Sequence, residues 1–144
     1  MIKTKSIPII AFIFLLNGCT TLPHYQLKPE ESYTKIKSIG LGWLSICVDG
    51  IAFIPAKSNQ PKEYLIPTNK RVSVKKHMVF SGYNITHSCS PSLSLIPQKD
   101  KTYIAESNII DKNYCHIDLV QADDTKDVGV SFESSIEAGE CPRD

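Results

Sequence analysis

The side chains best equipped for chemistry in this chain are its five cysteines and four histidines. Cys47, Cys89, Cys115 and Cys141 stand far apart, and none forms a C-x-x-C pair. Neither a zinc knuckle nor a thioredoxin-like redox centre is indicated. Cys115 precedes His116, but a nucleophilic pair needs a thiolate facing the imidazole, and neighbours on a strand point to opposite faces. A disulfide is the expected state. His77 and His87 are ten residues apart and His24 lies near the start, so no i, i+4 metal pair exists and no cofactor is expected. Ser131, Ser134 and Ser135 lack the Gly-x-Ser-x-Gly elbow and read as surface hydroxyls. Asp123, Asp124 and Asp127 lack calcium-loop spacing and read as a solvated acidic loop. No catalytic residue emerges, and a non-enzyme is expected.

The densest basic stretch is Lys70, Arg71, Lys75, Lys76 and His77. Arg71, Ser73 and Lys75 alternate with Val72 and Val74, which is the signature of a half-buried strand with a polar outer face. That face is the candidate interaction surface, suited to lipid phosphate, an acidic polymer or an acidic partner. The plainer reading is a charged sheet face that discourages edge pairing. Trp43, among Leu41, Gly42 and Leu44, reads as a core or lid residue.

The chain begins with a basic head (Lys3, Lys5), an apolar run from Ile7 to Leu16, and Leu16-Asn17-Gly18-Cys19. This is the pattern of a secretory signal peptide, and the run is too short to span a bilayer. The Leu-x-Gly-Cys ending resembles the lipobox of bacterial lipoproteins, with Asn17 a departure from the smaller residue usual there. The resemblance implies cleavage before Cys19 and acylation of its sulfur. It also implies an outer-membrane, periplasm-facing anchor, because Thr20 is not the aspartate that retains such proteins at the inner membrane. Spending Cys19 on lipid leaves four cysteines, an even set. In an exported chain these are expected to be oxidised.

The 16 basic and 15 acidic side chains give a formal charge of +1, and losing Lys3 and Lys5 with the signal leaves −1. No clustered basic footprint for nucleic acid results. Three segments are expected: a signal peptide over 1–18, a lipid-anchored tether over 19–38 and one β-domain over 39–144. The tether carries two prolines and mixed charge, with Pro29-Glu30-Glu31 able to start a short helix.

From Ile39 onward, short β-like runs alternate with turn residues. Leu44, Ile46 and Val48 alternate, and Asp49-Gly50 before Ile51 is a strong hairpin signal. Leu93–Ile96 and Thr102–Ala105, around the turn 97–101, look like a second hairpin. Asn108 to Asn113 reads as a loop. Seven or eight strands and no helical period point to an all-β, disulfide-stapled antiparallel sandwich. Residues 44–106 resemble transthyretin-like or PEGA-type modules of envelope proteins, with Asn69 where those families have glycine. That resemblance implies a spacer or docking role.

Of three possible connectivities, Cys89–Cys115 is expected to flank the second hairpin, and Cys47–Cys141 to tie the two ends of the domain. The chain-entropy model assigns them roughly 3 and 4–5 kcal/mol. Two functions fit. One is a lipid-anchored domain docking on an envelope protein or polymer. The other is a periplasmic inhibitor or immunity protein that plugs a hydrolase with one loop. Small lysozyme inhibitors are similar in size, lipidation and disulfides, although their loop motif is missing here. A protruding rigid loop with an exposed Ser, Tyr or Lys would favour the inhibitor.

Cys19→Ser is expected to leave the protein uncut or soluble. Recovery of that variant in the membrane fraction, correctly processed, would contradict lipidation at Cys19.

Overall fold

Among the described residues there are twelve strands: β1 (Tyr33–Gly40), β2 (Trp43–Val48), β3 (Ile51–Phe53), β4 (Ala56–Lys57), β5 (Glu63–Pro67), β6 (Val72–Gly82), β7 (Ile85–Cys89), β8 (Ser92–Leu95), β9 (Thr102–Asp111), β10 (Tyr114–Ala122), β11 (Val130–Ser131) and β12 (Glu137–Ala138). The computed structural model describes residues 21–111 and 114–141. The expected signal peptide and Cys19 lie outside them. One sheet runs β11-β10-β9-β1-β5-β4, and the other β12-β8-β6-β2-β3 with β7 paired to β6.

Period-two alternation explains why the sheets meet face to face. Ile36 of β1, Ile66 of β5, Tyr103 and Ala105 of β9, and Ile117 and Leu119 of β10 point inward from the first sheet. Leu44, Ile46 and Val48 of β2, Val72 and Val74 of β6, and Leu95 of β8 meet them from the second. Each such large side chain contributes about 1.5–3 kcal/mol on burial.

The expectation of an all-β sandwich holds, but the count of seven or eight strands does not. The additional strands include β4, β11 and β12, which have two residues each and are too short to show alternation. The sandwich is not purely antiparallel, since β1 and β9 run parallel.

The tether also ends earlier than expected. Residues 33–38 belong to β1, so Pro29-Glu30-Glu31 starts a turn into a strand and no helix. Tyr25 is already buried, its ring edge-on to Phe53 at 5.3 Å. Backbone bonds join Tyr25 N to Ile54 O (2.9 Å) and Ile54 N to Pro23 O (2.8 Å). The physical reason is that β1 faces outward with Lys35 and Lys37 and inward with Thr34 and Ser38 as well as Ile36. Its alternation is therefore polar on both sides.

A further correction concerns the second hairpin. β8 and β9 follow one another, but β8 pairs with β6 and β12 while β9 pairs with β1 and β10. The connection at 96–101 crosses between sheets. Nor is 108–111 a loop, because β9 continues through it.

Turn chemistry matches its positions. Asp49 (φ 52°) and Gly50 (φ 82°) form the tight β2–β3 turn, both with the positive φ a type I′ turn requires. Asn69 (φ 61°) takes the left-handed conformation that asparagine tolerates. Gly42 is obligatory, because a Cβ there would lie 2.1 Å from the His77 carbonyl oxygen.

The disulfides join Cys47 to Cys141 and Cys89 to Cys115, with Cα separations of 5.5 and 6.4 Å. The first pins the C-terminal segment to β2. The second joins the two sheets at the end opposite the Asp49-Gly50 turn.

At the lower end, where that turn lies, the Glu31 carboxylate accepts bonds from Lys70 Nζ (2.7 Å), Tyr25 Oη (2.8 Å) and Tyr33 Oη (3.1 Å). These bonds, led by that from Lys70, hold Glu31 down at about 2. Burial, reinforced by the Glu31 bond, pushes Tyr25 up to about 12. A carboxyl depressed in the folded state adds stability above its ordinary value of about 4.5, and that stability is lost as pH falls towards 2. Urea unfolding at several pH values is expected to show a shallower loss below pH 5 for Glu31→Gln than for the unaltered protein. An unchanged acid slope would contradict this clasp.

Candidate functional site

Two strands outgrow their neighbours at the upper end. The β2–β6 pairing stops at Trp43 opposite His77, and β6 continues to Gly82 paired with β7. The β1–β9 pairing stops at Gly40 opposite Ser107, and β9 continues to Asp111 paired with β10. Each sheet thus sends out one two-stranded hairpin. Such a ribbon is marginal by itself. Here Cys89, opposite Met78, is bonded to Cys115, opposite Ile109, so the two hairpins are stapled near their bases.

Between them lies a groove of about 380 Å³ whose lining includes Phe80, Tyr83, Ile85, His87 and Ile109. Phe80 and His87 stack at 5.4 Å. Asn84, at φ 60°, closes the tip of the first hairpin beside Tyr83.

This arm exposes several large apolar side chains. Tyr83 is 94% exposed, Ile110 and Tyr114 70%, Val79 69% and Ile85 60%. From Met78 to Gln98 the chain holds no Lys, Arg, Asp or Glu. Exposed apolar patches mark interaction sites, and interface cores are depleted in charge and enriched in tyrosine. The arm was missed in the sequence, where its one signal is that long uncharged stretch.

The expected interaction face is divided. Arg71 donates to Ser94 Oγ (3.0 Å) and Ser135 O (3.1 Å) and pairs with Glu137 (3.1 Å), so the C-terminal segment holds it. Ser73 and Lys75 are half-buried and line a shallow pocket of about 110 Å³ with Leu22, Ser45, Cys47, Ser92 and Cys141. Lys76 points into the core, fully buried, and donates to Ser38 Oγ (2.7 Å) and Ile39 O (3.3 Å). Burial, with the Lys62 charge adding to it, pushes its pKa down.

Trp43 is not a core residue. It is half exposed and stacks on His77 at 4.0 Å with the rings 12° from parallel. Ser45 Oγ lies 2.7 Å from His77 Nε2, and Ser90 Oγ 3.3 Å from Nδ1. Burial first, then the Lys75 charge, push the imidazole pKa down. A Ser–His pair at this distance has the reach of a nucleophile and base. However, Nδ1 faces a hydroxyl instead of the carboxylate that would stabilise an imidazolium, and Ser45 is buried in mid-strand.

The remaining polar residues are scattered. His116 Nε2 meets Asp118 at 3.0 Å, and Cys115 is held in its disulfide. The backbone around His24 bridges to Ile54. Ser135 Oγ accepts from Ile96 N. Asp123 accepts from the Thr125 hydroxyl and amide (2.6 and 3.1 Å). Among the described residues, no three His, Cys, Asp or Glu side chains converge as metal ligands. No protein-family model, curated protein or solved structure matches the chain.

The staple generates a specific expectation. Cys89→Ala with Cys115→Ala should leave the sandwich folded but loosen the arm. Limited chymotryptic cleavage after Tyr83 or Tyr114 is expected to speed up at least tenfold. Unchanged cleavage would show that the hairpins hold themselves.

Proposed function

We propose that this chain is an exported cell-envelope protein, anchored by lipid on Cys19. Its non-catalytic β-sandwich engages a protein partner through the arm formed by β6–β7 and β9–β10. The observation that carries this reading is a tip that exposes Tyr83, Ile85 and Ile110 on hairpins stapled by the Cys89–Cys115 bond. Rigid presentation lowers the entropic cost of binding. Two disulfides accord with an oxidising compartment. The N-terminal pattern and Thr20 support an outer-membrane, periplasm-facing anchor. The Arg71, Ser73 and Lys75 face is the poorer docking surface, because the C-terminal segment engages Arg71 and the other two are half-buried.

One observation favours a more specific form of this function. Tyr83 stands almost fully exposed at the tip of a stapled hairpin, a shape suited to entering a cleft. An inhibitor or immunity protein that plugs a hydrolase has this geometry.

Affinity capture of the lipidated protein from native envelopes, with partners identified by mass, tests the arm. Tyr83→Ala and Ile110→Asp should each reduce recovery of the partner about thirty-fold, the ~2 kcal/mol of an interface hot spot. Both residues are exposed, so the melting point should stay within about 2 °C. Lys75→Ala should change recovery little. Loss of the partner with Lys75→Ala alone would move the site to the flat face. A hydrolase partner inhibited by the native protein and not by Tyr83→Ala would establish the inhibitor form.

A further inference from the structure

The path of the N-terminal chain gives the arm a direction. Residues 23–25 run parallel to the β3 end of the second sheet, with His24 bridged to Ile54. β3 itself rises from Ile51, opposite Val48 at the lower end, to Phe53, opposite Ile46. Leu22 lines one shallow pocket with Cys47, Ala52 and Cys141. Thr21 therefore enters at the lower end, near the Asp49-Gly50 turn. Cys19 is two residues earlier in the sequence, a covalent span of at most about 7 Å. The arm leaves from the other end. β6 starts at Val72, opposite Val48, and reaches Gly82 ten residues later, a rise of about 33 Å at 3.3 Å per residue.

We propose that the domain sits directly on its membrane by the lower end, and that the arm projects away from that membrane to meet a folded protein with an apolar cleft. This rests on the anchored, arm-docking reading above. Two observations select a protein over the bilayer as the occupant. The short link from Cys19 keeps the tip on the far side of the domain from the anchoring bilayer. From Met78 to Cys89, the β6–β7 hairpin that ends at Tyr83 also lacks the lysines and arginines with which surface helices and loops meet anionic headgroups. Tyr83, Ile85 and Ile110 are instead the side-chain types that fill protein pockets.

The full-length lipidated protein, its acyl groups verified by mass, is reconstituted in vesicles carrying a headgroup quencher. A fluorophore is placed on Lys126→Cys, in the exposed β10–β11 loop at the lower end, or on Tyr83→Cys. Quenching at 126 and little at 83 is expected. In native envelopes, a photoreactive phenylalanine analogue at position 83 should yield a discrete protein adduct that Ile110→Asp abolishes. Equal or stronger quenching at 83, or none at either site, would overturn the orientation. Lipid adducts, adducts to a second copy, or no adduct would overturn the choice of partner. Absence of acyl groups on Cys19 would overturn the anchored reading and the orientation with it. A lipidated protein quenched at 83 would sink the orientation alone.

Discussion

Strand β1 carries the pairing on which the sandwich depends. It lies between β9, which it meets in parallel, and β5, which it meets antiparallel. Without it the β9–β10 hairpin and the β4–β5 edge would not share a sheet. Its inward side chains bind both within their own sheet and across to the other. Thr34 donates to the Lys101 carbonyl, Ile36 is fully buried, and Ser38 accepts from the buried Lys76 ammonium of the opposite sheet. A cation removed from water is costly unless hydrogen-bonded. Ser38 and the Ile39 carbonyl supply those bonds, so a polar contact inside an apolar core links the layers.

The arm follows from the same strand. β1 and β2 are joined by a tight turn through Leu41 and Gly42, and that turn ends both partners at one level. Trp43 is the last residue of β2 opposite β6, and Gly40 the last of β1 opposite β9. β6 and β9 run on past the turn, one in each sheet, and emerge side by side. A disulfide between their hairpin partners, β7 and β10, holds together two ribbons that neither sheet supports any longer. Apolar groups such as Tyr83 and Ile110 are then exposed on a stiff support.

Legibility in the sequence followed the range of the interactions. The Val72, Val74 alternation of β6 and the Asp49-Gly50 turn are local, and they were plain. The Cys47–Cys141 pairing follows from the need to hold a polar tail. Cys89–Cys115 is expected to flank a β8–β9 hairpin that does not form, and instead joins β7 to β10. β1 reads as tether because its inward face mixes Thr34 and Ser38 with Ile36, so hydrophobic contrast vanishes. The β8–β9 hairpin was expected because a turn joins the strands, yet a turn establishes order along the chain and does not choose a sheet. The outer face of β6 was assigned correctly to Ser73 and Lys75. That Glu137 and the Ser135 carbonyl would return to hold Arg71 depends on contacts across more than sixty residues, which alternation does not encode. For the arm, alternation distinguishes two faces of a strand but cannot show that a hairpin has left its sheet and has no cover for either.

A sandwich that is ordinary in its core and unusual at one end suggests a division of labour. The core and the Cys47–Cys141 bond fix the fold, and the Cys89–Cys115 bond fixes the arm proposed to meet a partner. The most direct measurement of that claim is amide hydrogen exchange of the mature protein, free and bound to its captured partner. Binding should slow exchange over residues 78–89 and 107–115 and leave the Ser73–Lys75 face unchanged. Protection of the face around Trp43, Ser73 and Lys75, with the two hairpins exchanging as freely as before, would contradict it.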